Sequence, residues 1–97
     1  MLYAVHCTDA QGVESLRNQY LAPHKEYLVG QKHILVVGGA LVGEDGQEPK
    51  GSLYIVNVAD RAAAEAFSKA DPFSQAGVFG AVTITAMRKS HWNPASA

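Results

Sequence analysis

Apolar and polar positions follow two different rhythms in the first third of the chain. Leu2–Cys7 is short and rich in β-forming residues, and turn-forming residues follow at 8–12, which predicts a first strand. From Val13 to Val29 apolar and aromatic residues recur close to helical spacing. Gly30 stands where a C-terminal cap belongs, so we expect the first helix to end there.

A single proline stands inside this helical pattern. Pro23 removes a backbone donor and biases Ala22 away from the helical region, so we expect a kink or a break just before His24. A kink at that point would change the direction in which the His24 side chain points.

The middle of the chain predicts two strands joined by a long loop. Ile34–Val42 is a nearly continuous apolar run that contains Gly38-Gly39, which suits a buried strand with a bulge or a close backbone approach at its glycines. Residues 43–51 have the composition of a loop. Ser52–Ala59 then predicts a third strand, antiparallel to the second.

The last third predicts one more helix and one more strand. Asp60 can cap an alanine-rich helix over Arg61–Ala70, and Asp71-Pro72 ends it because a residue before proline avoids the helical region. Val78–Met87 alternates well enough for a fourth strand. A polar tail follows.

The predicted order, βαββαβ, defines an α+β, ferredoxin-like fold with a four-stranded antiparallel sheet and both helices on one face. We expect residues 1–88 to form this domain and residues 89–97 to form a C-terminal tail. Nothing else in the chain can cover the second face of the sheet. A homodimer that pairs two such faces is therefore expected.

Composition narrows the classes of protein. The chain has 97 residues, of which 47% are hydrophobic and 18% charged, as in a single globular domain. Its net charge of −1 provides no basic field, so nucleic acid and membrane surfaces are not expected as partners. No apolar run approaches the ~20 residues of a spanning helix, and no basic leader opens the chain, so we expect a cytoplasmic protein.

Metal and cofactor motifs do not stand out in the sequence. Cys7 is the only cysteine, and we interpret it as a small buried hydrophobe, with a reactive thiol as the alternative. None of the four histidines has the spacing of a helical metal pair, so no metal is expected. Gly38-Gly39 lacks the remaining positions of a nucleotide fingerprint, and no cofactor is expected.

Several motifs in the right order resemble those of one known family. They are Pro23-His24, Gly38-Gly39, Gly51-Ser52, Asp71-Pro72-Phe73 and Ala76-Gly77-Val78. From Leu2 to about Arg88 the chain resembles the YCII-related family of small bacterial proteins. The resemblance implies a dimeric α/β barrel akin to the muconolactone isomerases, and a catalytic pair formed by His24 and Asp71. Many members place an arginine shortly before the histidine, whereas here Leu21 stands three and Arg17 seven positions before it.

His24 and Asp71 have chemistry that agrees with this implied role. A histidine suits proton transfer near neutral pH, and an aspartate that accepts from one ring nitrogen fixes its tautomer. Without the resemblance, His24 would be interpreted as a surface or half-buried helix residue. Asp71 would then be a residue that only ends a helix.

Four further residues are candidates for binding a substrate. Gly51 and Ser52 form either a simple turn or a bare backbone and a hydroxyl beside a ligand. Phe73 would line an apolar wall. His6 shares its strand face with Leu2 and Ala4, so it is either a core histidine or a group of the pocket.

One base without metal or cofactor suits a lyase or isomerase that moves protons on a small molecule. The family resemblance points to lactones or ring compounds of aromatic degradation, and most specifically to a dehydrochlorinase that eliminates HCl from a chlorinated hydroxyquinol or a muconolactone. The alternative is a dimeric module that binds a metabolite without converting it. Trp92 in the tail either belongs to a frayed terminus or packs across the dimer or over the pocket.

Overall fold

The computed structural model describes all residues, 1–97, and contains the predicted order of strands and helices with two short additions. They are a short helix between the second long helix and the last strand, and a 3-10 turn in the tail. In chain order the elements are β1 (Leu2–Asp9), α1 (Glu14–Gly30), β2 (Leu35–Val42), β3 (Pro49–Asn57), α2 (Arg61–Ala70), α3 (Pro72–Ala76), β4 (Phe79–Met87) and a 3-10 turn (Pro94–Ser96).

The four strands form one antiparallel sheet in the order β2-β3-β1-β4, as the ferredoxin-like fold requires. The core lies on one side of this sheet. Tyr3, Val5 and Cys7 of β1 are buried there, and they belong to one cluster with Ala64 and Phe67 of α2. Tyr27 and Leu28 of α1 pack against the same cluster. We call this side the covered face.

The opposite side of the sheet carries no helix, and we call it the open face. The strand register places His6 opposite Leu53, and Leu53 opposite Gly39, so these residues share it. Its apolar members include Val37, which is 53% exposed, and Leu53, which is 36% exposed. The other apolar residues of this face are Leu2, Ala4, Leu41, Ile55, Ala81 and Met87.

Of the kink or break predicted at the proline, the break is absent from the first helix. Helix α1 runs without a break through Pro23 and keeps Gly30 as its last residue, with Gln31 as the C-cap. A proline removes one backbone hydrogen bond, but buried side chains on both sides of it hold the helix against the sheet. Arg17 lies before the proline and His24 after it, and both are buried.

The bulge in β2 lies beside the glycines and not at them. Its register against β3 shifts between Leu35 and Val37, which leaves Val36 as the extra residue. The close approach that the glycines predicted is present at Gly38. A Cβ atom there would lie 2.6 Å from Cδ1 of the Tyr54 ring. Only glycine therefore admits this ring.

Three capping residues bound the consecutive helices α2 and α3. Asp60 caps α2 by accepting from the Ala63 N–H, as predicted. Asp71 ends α2 and also begins α3, where its carboxylate accepts from the Phe73 N–H. Gly77 then closes α3 in the left-handed conformation at φ 84°. The sequence prediction missed α3 because its five residues are too few for a helical period.

The C-terminal tail leaves the sheet at Met87 and reaches the open face. Trp92 lines a cavity of about 270 Å³ together with Val37 and Ile55 of that face, and the indole remains 55% exposed. The Lys89 ammonium lies 5.8 Å from the centre of its ring. No helix of the chain has the length and the apolar character that crossing a membrane requires.

Candidate active site

The structure brings His24 and Asp71 together from two different elements, although 47 positions separate them in the chain. Nδ1 of His24 lies 2.7 Å from Oδ1 of Asp71, and both side chains are buried. The same Asp71 oxygen accepts from the Phe73 N–H at 2.9 Å. The helix cap therefore fixes the carboxylate, and the carboxylate fixes the imidazole.

This arrangement determines the roles of both imidazole nitrogens. A carboxylate accepts, so Nδ1 carries the hydrogen and Nε2 is left as an acceptor in the neutral ring. Nε2 lies 3.3 Å from the hydroxyl of Tyr54. The Phe73 ring stacks on the imidazole, with centroids 3.8 Å apart and planes 7° from parallel. The sequence prediction named Phe73 as an apolar wall, and it lies against the imidazole itself.

Arg17 is a site residue that the sequence analysis did not select. Its Nη2 donates to the Gly51 carbonyl at 3.1 Å and to Ser52 Oγ at 3.3 Å. Its guanidinium carbon lies 4.8 Å from the centre of the Phe73 ring. A signal was available, because seven positions separate Arg17 from His24 and two helical turns return to the same face.

Tyr54 is the second site residue that the sequence analysis missed. It stands two positions after Ser52 in β3, so the two side chains share the covered face. Burial raises the pKa of its phenol, and the Ser52 hydroxyl opposes this shift by hydrogen bonding. Tyr54 therefore remains a neutral donor toward His24. The alternation of β3 carried this signal once Ser52 was chosen.

Cys7 lies in the same buried layer as these groups. Burial raises the pKa of its thiol to about 12, and the negative charges of Asp71 and Asp9 add to the shift. A thiol with this pKa is protonated at neutral pH and is a weak nucleophile. This observation favours the interpretation of Cys7 as a small buried residue over that of a reactive thiol.

A cavity of about 210 Å³ opens beside the histidine. This volume lies below the ~300–1,000 Å³ of sites for drug-sized ligands, so it suits a single small ring. Its polar wall is formed by Arg17, His24, Ser52 and Tyr54. The remaining lining residues are mostly apolar or small: Leu21, Lys25, Leu28, Leu35, Gly38, Gly39, Ala40 and Phe73.

Two of the predicted binding residues do not line this cavity. His6 lies on the open face and is exposed, because the alternation of β1 turns Cys7 and not His6 toward the helices. It is neither a core histidine nor part of this pocket. Gly51 contributes only its carbonyl, which holds Arg17. A Cβ atom at Gly51 would collide with the carbonyl oxygen of Cys7, so this glycine serves the packing of the sheet.

The donor set of the site is that of proton transfer on an organic molecule. No three His, Cys, Asp or Glu side chains lie close enough together to hold a metal ion. One imidazole, one phenol and one guanidinium face a mostly apolar chamber. Such a chamber can deprotonate a weak acid and stabilise the oxyanion that forms.

The comparison with known families defines the class. The family model of the YCII-related domain matches residues 1–88, and the chain belongs to this family, as its motifs predicted. No curated protein matches the sequence significantly.

Solved structures add one informative relative. The 5-chloro-2-hydroxyhydroquinone dehydrochlorinase TftG of Burkholderia phenoliruptrix AC1100, in complex with 2,5-dihydroxybenzoquinone, is similar with a TM-score of 0.83 and 28% identity. The match covers 91% of this chain and 94% of that chain. The protein At3g17210 of Arabidopsis thaliana has a TM-score of 0.49 and 11% identity, over 95% of this chain and 97% of its own.

Proposed function

We propose that this protein is a cofactor-independent lyase that eliminates HCl from a chlorinated hydroxyquinol. The observation that carries the proposal is the 2.7 Å His24–Asp71 pair beside a small cavity, where Nε2 of His24 faces the Tyr54 hydroxyl and Arg17 lines the same cavity. The structural similarity to a dehydrochlorinase of 5-chloro-2-hydroxyhydroquinone supports it. The fit of the cavity volume to a single ring supports it further.

The proposed reaction needs no external oxidant, because the substrate carries both halves of the redox change. The hydroxyl next to the C–Cl carbon loses its proton, and that carbon gains one, which gives a ketone with an sp3 carbon that bears H and Cl. The hydroxyl para to this ketone then loses its proton, and the electron pair expels chloride. The products are a hydroxybenzoquinone, chloride and one proton.

In this proposal the chain supplies a proton carrier and a stabilised oxyanion. His24 takes the proton of the hydroxyl next to the C–Cl carbon and returns it to that carbon, and Asp71 stabilises the imidazolium that forms in between. The proton of the para hydroxyl is the one released with chloride. The Arg17 guanidinium, which lines the same cavity, stabilises the phenolate charge. Phe73 and the neighbouring aliphatic side chains exclude water from the ring.

An anaerobic chloride-release assay tests the proposal, since hydroxyquinols oxidise in air. The probe is 5-chloro-2-hydroxyhydroquinone, with chloride measured by ion chromatography and the quinone by absorbance. We expect turnover by the wild-type protein and a loss of about 10²–10⁴-fold in Asp71→Asn, where the tautomer of His24 is no longer fixed. Binding of the compound without chloride release above the uncatalysed rate would favour the metabolite-binding module.

We also propose that the open face pairs two copies of the chain. An exposed apolar sheet face is uncommon on a monomer, and no helix of the chain packs on this face. The two faces would pack as sheets do, with inward side chains interdigitated.

A further inference from the structure

Both nitrogens of the His24 imidazole are already engaged in the structure. Nδ1 is held by Asp71 at 2.7 Å, and Nε2 faces the Tyr54 hydroxyl at 3.3 Å. A neutral imidazole has one lone pair available for accepting a proton. In this site that lone pair is directed at the phenol, so a substrate hydroxyl can reach Nε2 only through Tyr54 or by displacing it.

The Tyr54 side chain is held in place by contacts that do not involve His24. Its ring lies against Gly38, which has no Cβ atom to obstruct it. The Phe67 ring packs edge-on against it, with ring centroids 5.7 Å apart and ring planes at 78°. The residue is only 2% exposed. Rotation of the ring about its own axis leaves the hydroxyl oxygen where it is. The phenol is therefore a fixed partner of Nε2.

We propose that Tyr54 is the catalytic residue that contacts the reacting hydroxyl of the substrate and relays its proton to His24. This inference rests on the proposed lyase function and specifies how its base operates. The substrate O–H bond breaks as its proton joins the Tyr54 oxygen, while the Tyr54 O–H bond breaks as its proton joins Nε2. Tyr54 is neutral before and after, and the positive charge ends on the His24–Asp71 pair.

The neighbours of Tyr54 suit a group that passes protons without holding a charge. Ser52 Oγ accepts from Arg17 Nη2 at 3.3 Å, which leaves the Ser52 hydroxyl hydrogen free to turn toward the Tyr54 oxygen. This hydrogen bond lowers the pKa of the phenol, but burial has the larger effect and raises it. A tyrosinate that persists between the two transfers is therefore disfavoured. Transfer of both protons in a single step avoids forming this anion.

Removal of one oxygen atom separates this relay from direct action by His24. We expect Tyr54→Phe to lower kcat for chloride release from 5-chloro-2-hydroxyhydroquinone by about 10²-fold or more. If His24 accepts the proton directly, Tyr54→Phe uncovers Nε2, and kcat stays equal or rises, which would overturn the relay. The matched control is Tyr27→Phe, because the Tyr27 hydroxyl donates to the Phe67 carbonyl at 2.8 Å outside the cavity.

A second variant keeps the oxygen and changes only its acidity. Tetrafluorotyrosine introduced at position 54 makes the phenol lose its proton at lower pH, with little change in shape. If Tyr54 relays the proton, the alkaline decline in activity of this variant begins at a lower pH than in the wild type. The same substitution at position 27 leaves the pH–activity profile unchanged. An unchanged profile at position 54 would contradict the relay even if Tyr54→Phe folds poorly. An inactive wild-type protein would refute the lyase proposal, whereas an active wild type with a fully active Tyr54→Phe refutes only the relay.

Discussion

The covered face and the open face of the sheet are made by the same strands, yet they differ in chemistry. The covered face buries Asp71, His24 and Arg17 among aromatic side chains. Asp71 pairs with His24, and the Arg17 guanidinium lies 3.6 Å from the Asp9 carboxylate. The open face presents aliphatic side chains at 36–53% exposure, as at Leu53 and Val37, with His6 as its one histidine. Chemistry is concentrated on one face and apolar exposure on the other.

The difference shows how strand alternation assigns roles to neighbouring residues. Ser52 and Tyr54 face the cavity, while Leu53 between them faces outward. A slip of one position would exchange the two sets and expose the site. The position of Gly38 under Tyr54 stabilises the observed register, since a side chain there would displace the ring.

The largest effect expected is on turnover, from a change at the histidine of the covered face. We expect His24→Asn to reduce chloride release by about 10²–10⁴-fold, because the amide can still donate to Asp71 but cannot carry the proton. The matched control is His6→Asn on the open face, which should retain wild-type turnover. Equal activity of His24→Asn and His6→Asn would remove the functional distinction between the faces.

A charge on the open face should change the state of association. We expect the wild-type protein to have the mass of a dimer by light scattering at micromolar concentration. Leu53→Lys should shift it to the mass of a monomer, because a lysine there would be buried without a partner in the dimer. The control is Val29→Lys at the exposed end of α1, which should leave the dimer intact. A wild-type protein of monomer mass would contradict the pairing.

The adjacent glycines of β2 allow the same substitution to be compared on both faces. Gly38→Ala places a Cβ atom 2.6 Å from the Tyr54 ring, and we expect it to lower the free energy of unfolding by about 1–3 kcal/mol. Gly39→Ala meets nothing within 4 Å and should change it by less than about 0.5 kcal/mol. Urea unfolding at a fixed protein concentration measures both. Equal losses would mean that Tyr54 is not confined as described.

Near neutral pH the smallest effect is that of Cys7, whose influence on stability begins only in alkaline solution. Its pKa rises from 9.0 to about 12 on burial, so above pH 9 the thiol ionises in the unfolded chain but not in the folded one. The stability is thus fully present below pH 9 and falls as the pH rises toward 12, by at most about 1.4 kcal/mol per pH unit. Cys7→Ala lacks this contribution. We expect a shallower alkaline decline in its urea unfolding, and identical slopes would show that the thiol is not protected.

Much of the fold followed from local patterns because they agree with one another. The alanine-rich stretch with Asp60 before it and Asp71-Pro72 after it gave the bounds of α2. The course of α1 through Pro23 did not follow from local chemistry, since distant contacts compensate for the missing hydrogen bond. The bulge at Val36 likewise depends on the partner strand, which a single segment does not contain.

The candidate site was predictable only in part. The choice of His24 and Asp71 rested on family motifs, and their 2.7 Å contact depends on the packing of α1 against α3. Arg17 and Tyr54 were missed although both have the right periodicity, because periodicity alone does not distinguish a site residue from a core residue. His6 was included because a strand of mixed composition does not reveal which of its faces the helices cover.

The tail that reaches the open face gives the molecule an optical reporter. Trp92 is the only tryptophan in the chain, and it lies beside Val37 and Ile55 with more than half of its surface in water. Its emission therefore reports from a single known place. Dilution that separates two copies should shift the emission maximum to longer wavelength. A compound that enters the cavity beside His24, on the covered face, should leave the emission maximum unchanged.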